Sequence, residues 1–168
     1  MRASLLLLPY LIACGPDERV FVGTVQGTDA QVGLVVTDVN VVAYVCGGPD
    51  TRTTLTRWFA GSTMRSLEVS PLDSGVGTVT ADDWSLSWNG DTGSLVDPDG
   101  VIANWVLDDQ TGRAALYEGD DSGCRDGAIV WDVDGEPTLQ GTWGCYGGPA
   151  PMLEVMPVGT LQLGACRT

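Results

Sequence analysis

The chain contains no histidine and no lysine; its eight basic residues are all arginine. Without histidine there is no Ser–His–Asp triad, no Cys–His pair and no imidazole metal site. Without lysine there is no Schiff base and no Ser–Lys dyad. No glycine-rich phosphate loop or dinucleotide fingerprint occurs, and no two cysteines have the CxxC spacing of a zinc or redox site. These absences point away from an enzyme. Positive charge is scarce, with 8 basic against 22 acidic residues and a net charge of −14. Such a surface repels phosphate backbones, which excludes nucleic acid as a partner. Long hydrophobic runs are missing as well. The apolar stretch from Ala3 to Ala13 would span about 16 Å as a helix, against a hydrocarbon core of roughly 30 Å. Beyond residue 19 there is no convincing helical period.

What is present begins at the amino terminus. Arg2 followed by the short apolar stretch has the form of an export signal. Leu11-Ile12-Ala13-Cys14 closes that stretch with an aliphatic residue, a tolerant position, a small residue and a cysteine. These first fourteen residues resemble the bacterial lipoprotein signal and its lipobox. The resemblance implies export, diacylglycerol on the Cys14 sulfur, cleavage before Cys14 and acylation of the new amino group. Two or three acyl chains anchor far more firmly than one. Aspartate after the cysteine would favour inner-membrane retention; the residue here is Gly15, so the resemblance implies the outer membrane of a Gram-negative bacterium. The chain then divides into a signal peptide (1–13), a short tether with lipidated Cys14 (14–19) and a single β-domain (20–168). Five extended tether residues reach at most about 18 Å. The implied partner is the bilayer itself, with a protein or small-ligand partner left unassigned.

With Cys14 lipidated, Cys46, Cys124, Cys145 and Cys166 remain. An even number in an oxidising compartment suggests two disulfides, with three possible connectivities. Ala128–Val133 and Thr138–Trp143 read as strands joined at Asp134-Gly135, a dipeptide favoured in two-residue hairpins. If Val133 faces Glu136, Cys124 falls opposite Cys145, leaving Cys46 for Cys166. The same register puts Ile129, Trp131 and Val133 on one face with Thr138 and Gln140, while Leu139 and Trp143 lie on the other. A slip of one residue, or a bulge near Gly127, Gly141 or Gly144, would align the apolar sets.

Hydrophobic residues at 43% and charged residues at 18% suit a folded globule. Glycine and proline punctuate short runs rich in Val, Leu, Trp and Thr, the composition of strands. Trp84, Leu86 and Trp88 alternate with Asp83, Ser85 and Ser87, giving one inward and one outward face. Asn89-Gly90 marks a hairpin with Trp88 facing Asp91, and Asp97-Pro98-Asp99-Gly100 a type I turn. Val39–Cys46 is apolar on both faces and should be a well-covered strand. A run of short strands also extends over Thr54–Ala60, Arg65–Ser70, Met152–Met156 and Thr160–Leu163. The expected fold is all-β, an antiparallel meander closed into an up-and-down barrel, with a β-sandwich as the alternative. The segments from Phe21 to Ala30, Val42 to Gly48, Arg57 to Gly61 and Gly112 to Tyr117 resemble uncharacterised secreted β-rich proteins of GC-rich bacteria. That resemblance implies a fold and no activity.

Three constellations could carry chemistry. All six tryptophans fall in Thr54–Trp143; if the barrel is hollow, Trp84, Trp88 and Trp105 are its wall residues. Glu118, Asp120, Asp121 and Asp126 are candidates for calcium, which favours oxygen clusters on loops, although Asp is also a common turn residue. Asp132 and Glu154 have apolar neighbours that could raise a carboxyl pKa, as a glycan hydrolase needs. The expected function is a membrane-anchored, non-catalytic β-domain acting in cell-envelope interaction or structure. The alternatives are a carrier of a small apolar ligand and a carboxylate-dependent glycan hydrolase.

Overall fold

The computed structural model describes residues 19–37, 40–62, 76–107, 113–121, 124–143, 150–152 and 161–167. Eight antiparallel strands form a closed barrel: β1 (Arg19–Val25), β2 (Gln31–Val36), β3 (Asn40–Cys46), β4 (Arg57–Ser62), β5 (Val76–Ala81), β6 (Trp84–Asn89), β7 (Thr92–Val96) and β8 (Ile102–Leu107). Each pairs with its sequence neighbour, and β8 returns to β1 with Val25 opposite Trp105. This is the up-and-down meander the punctuated sequence predicts. One helical turn, α1 (Arg52–Leu55), precedes β4. The strand expected from Thr54 therefore starts later, at Arg57. Asp29 accounts for this: it accepts from the Thr51 hydroxyl and from Asp50 N, holding the loop back toward the β1–β2 turn. The expected strand Arg65–Ser70 lies outside the described residues.

The rest of the chain does not continue the barrel. It forms a second sheet in the order β12-β11-β10-β9-β13, built from β9 (Arg113–Asp121), β10 (Cys124–Val133), β11 (Glu136–Trp143), β12 (Ala150–Met152) and β13 (Leu161–Arg167). The reason lies in β1 to β3. Their inward residues Val25, Val32, Leu34, Val41, Ala43 and Val45 fill the barrel. Their outward residues Val22, Val35, Tyr44 and Cys46 are apolar as well, and they are buried against Ala114, Leu116, Ile129 and Trp131 of the second sheet. A strand apolar on both faces needs a cover on both. Val39–Cys46 reads that way in the sequence, and β3 is buried on both sides.

The turns follow their chemistry. Asp134 and Gly135 both have positive φ, 53° and 85°, as a type I′ hairpin requires. In the 97–100 turn, Gly100 N donates to Asp97 O at 3.0 Å. The β6–β7 hairpin differs from expectation: Asn89 pairs with Thr92, so the loop is Gly90-Asp91, and Trp88 faces Gly93 rather than Asp91. Steric fit decides this. The Trp88 indole also lies against Gly77, its partner on β5, so it sits between two glycines.

Candidate functional site

Of the three tryptophans predicted as cavity walls, Trp88 and Trp105 fill the barrel, and Trp84 is half-buried against that core. Across the interior, Gly77 pairs with Trp88, Trp88 with Gly93, Gly93 with Trp105, and Trp105 with Val25. Large and small side chains alternate around the barrel, as its narrow bore requires. A methyl group at Gly77 would overlap the Trp88 ring, and one at Gly93 would overlap that of Trp105. Trp105 is fully buried. Its indole N–H finds no acceptor among the described residues. Trp84 lies at the barrel end, where the Arg57 guanidinium covers its ring at 3.4 Å from the centroid. Burial pulls the Arg57 pKa down, opposed by the charges of Asp82 and Asp97. Trp58 and Trp131 lie outside the barrel, in the seam with the second sheet.

That seam holds polar contacts between the barrel and the second sheet. Tyr44 stacks on Trp58 with centroids 4.4 Å apart, and its hydroxyl hydrogen-bonds the Thr142 hydroxyl. Gln140 Nε2 donates to Cys46 O at 2.7 Å and to Asp29 O at 3.0 Å. Burial pushes the Tyr44 phenol well above its ordinary range. Burial likewise pushes the Cys46 thiol up to about 12, against weaker lowering by the Tyr44 hydrogen bond and Arg52. Such a thiol is not a nucleophile at neutral pH. The Cys46–Cys166 bridge expected from the sequence is not formed. Cys46 holds a free, buried thiol whose Sγ turns toward Gly47 O. Cys166 has its Cα partner in Ala114 of β9. Cys124 begins β10 opposite Asp121, and Cys145 lies outside the described residues.

The backbone of the four acidic candidates is in strands. Glu118, Asp120, Asp121 and Asp126 belong to the long β9–β10 hairpin, where Asp126 faces Gly119 and Gly127 faces Glu118. Strand neighbours alternate faces, so the half-buried Glu118 and the buried Asp126 lie on opposite faces of the sheet. Among the described residues no three metal-ligating side chains converge. Asp132 is half-buried on β10, and Glu154 lies outside the described residues.

A further feature escapes a reading of single strands. On the barrel wall away from the second sheet, outward side chains of β6, β7 and β8, together with Trp88, Gly93 and Trp105, line a groove of about 450 Å³. Registers build it. Ser87 faces Ser94 and Ser94 faces Asn104, with Gln26 just beyond β1 donating its N–H to Asn104 O at 2.8 Å. Beside this row, Asn89 faces Thr92 and Thr92 faces Val106. Short hydroxyls sit in the middle, with Ser87 Oγ and Ser94 Oγ 2.7 Å apart; exposed amides stand at Gln26, Asn89 and Asn104. In the sequence these residues are only the polar half of an alternation. The signal is that they are uncharged in a chain otherwise dense in aspartate. Comparison of the chain with protein-family models, with curated proteins and with solved structures finds no match.

Proposed function

We propose that the protein is an exported lipoprotein, anchored through acylated Cys14 to the outer membrane, whose β-domain serves in cell-envelope interaction or structure. The observation that carries this is the lipobox Leu11-Ile12-Ala13-Cys14 closing a short apolar stretch, only four residues before β1 begins at Arg19. An anchor so near the first strand keeps the domain within about 18 Å of the lipid surface. The packed interior supports a protein that acts through its outer faces, since Trp88 and Trp105 take up the bore. Intact-mass spectrometry of the protein recovered from its native host tests the reading. The expected product starts at Cys14 and carries two or three acyl chains; Cys14→Ser releases it from the membrane fraction. A mature product starting elsewhere, or starting at Cys14 without fatty chains, overturns the proposal.

A further inference from the structure

The groove on β6 to β8 lies on the wall that the second sheet leaves uncovered. We infer that it is a binding site for an uncharged, hydroxyl-rich ligand, a neutral oligosaccharide. Its volume, about 450 Å³, falls within the roughly 300–1,000 Å³ of small-molecule sites. None of its lining side chains is charged, although the chain carries 22 acids and 8 arginines. An ion therefore meets no counter-charge there, and an anion is repelled by the net charge of −14. Val106 is the one aliphatic side chain in the lining, and Trp88 and Trp105, which line it as well, are buried in the barrel, so a hydrocarbon ligand would bury little apolar surface. The remaining chemistry is that of Gln26, Asn89 and Asn104 amides beside Ser87, Thr92 and Ser94 hydroxyls. Every one of these groups both donates and accepts hydrogen bonds. Vicinal sugar hydroxyls present the same paired donor and acceptor. A peptide fits less well. Extended peptides are recognised by adding to a sheet edge, and a closed barrel offers none at β6 to β8.

The groove does not depend on the lipid anchor, so the two proposals fail separately. The test uses the full-length chain in a zwitterionic detergent without a sugar headgroup. Neutral tetrasaccharides of glucose, galactose and N-acetylglucosamine are titrated while the side-chain amide signals of Asn104 and Gln26 are followed by NMR. At least one sugar is expected to shift both signals saturably, and Asn104→Ala, an exposed position, to weaken that binding at least 10-fold with the fold's NMR spectrum retained. Absence of a saturable shift, shifts confined to other residues, or unchanged affinity in Asn104→Ala overturns the proposal. So does a response of these amides to neutral peptides in place of the sugars.

Discussion

At the scale of single residues, Gly93 matters through the hydrogen it carries where other residues carry a methyl. Trp105 packs on its α-carbon, leaving no room for a Cβ. Gly93→Ala is therefore an overpacking substitution and should cost about 1–3 kcal/mol in urea unfolding. Ser85→Ala, on the outward face of β6, should stay within about 0.5 kcal/mol. The titrating residues act in opposite directions. Burial raises the Cys46 thiol from 9.0 to about 12 and raises the Tyr44 phenol further. A group whose folded pKa is raised contributes stability below its unfolded value and loses it as pH climbs toward the folded one. Thermal stability should thus fall between about pH 9 and 12, and native Cys46 should resist alkylation at pH 8 until the protein is unfolded. Asp29 behaves in reverse. Partial burial pushes its carboxyl up, but hydrogen bonds from the Thr51 hydroxyl and from Asp50 N outweigh this and hold it below 3.8. Its contribution is present above that value and is lost as pH drops through the lowered pKa. Acid should loosen the 46–56 loop first, seen as faster amide exchange at Asp50 and Thr51.

At the scale of elements, the β10–β11 hairpin shows what a sequence can and cannot disclose. Its register, Val133 opposite Glu136 through to Gly127 opposite Thr142, follows from Asp134-Gly135 alone, because that dipeptide fits a two-residue loop. Gly135→Ala should cost about 1–2 kcal/mol, the penalty of a left-handed side-chain-bearing residue, with the register unchanged by cross-strand NOEs. The same register sets Thr138 and Gln140 beside Ile129 and Trp131, a mismatch that a slip or a bulge would remove. Between Gly127–Val133 and Glu136–Thr142 there is neither, and Gly144 lies outside the described residues. Gln140 and Thr142 point at the barrel because their partners are there: the Asp29 and Cys46 carbonyls and the Tyr44 hydroxyl. Those partners are about a hundred residues away in the chain, beyond the reach of any local pattern. Thr142→Val and Tyr44→Phe should each cost about 1–3 kcal/mol by leaving a buried hydroxyl without its bond. The double variant should cost less than their sum in a denaturant-based cycle. The β6–β7 loop is the converse case. Its inward face was legible from Trp84, Leu86 and Trp88, but its register sets Gly93 opposite Trp88 and under the Trp105 indole, a role no propensity announces.

At the scale of the whole molecule, the two walls of the barrel have different fates. The wall made by β6 to β8 carries the groove and is polar outside except at Val96, Ile102 and Val106. The wall made by β1 to β3 is apolar outside and buries Val22, Val35, Tyr44 and Cys46 under the second sheet, with Val20, Val42 and Trp58 packed alongside. The double-sided hydrophobicity of β3 disclosed that a cover existed. That the cover is a separate sheet rather than further barrel strands was not legible, because hydrophobic periodicity gives which face is buried and not what buries it. Closure after eight strands leaves the barrel without free edges, yet it does not make the barrel self-sufficient. Each large apolar side chain so covered contributes roughly 1.5–3 kcal/mol, and a stripped wall would be a contiguous exposed patch of the kind soluble monomers avoid. A chain ending after Leu107 should therefore associate or bind a hydrophobic dye, even though every barrel strand is present. Polar replacement of Val22, Val35 and Tyr44 in that shortened chain should restore a monomer in sedimentation analysis. A shortened chain that is monomeric and dye-free without those changes would mean that the barrel tolerates its bare wall and that the second sheet is there for something other than cover.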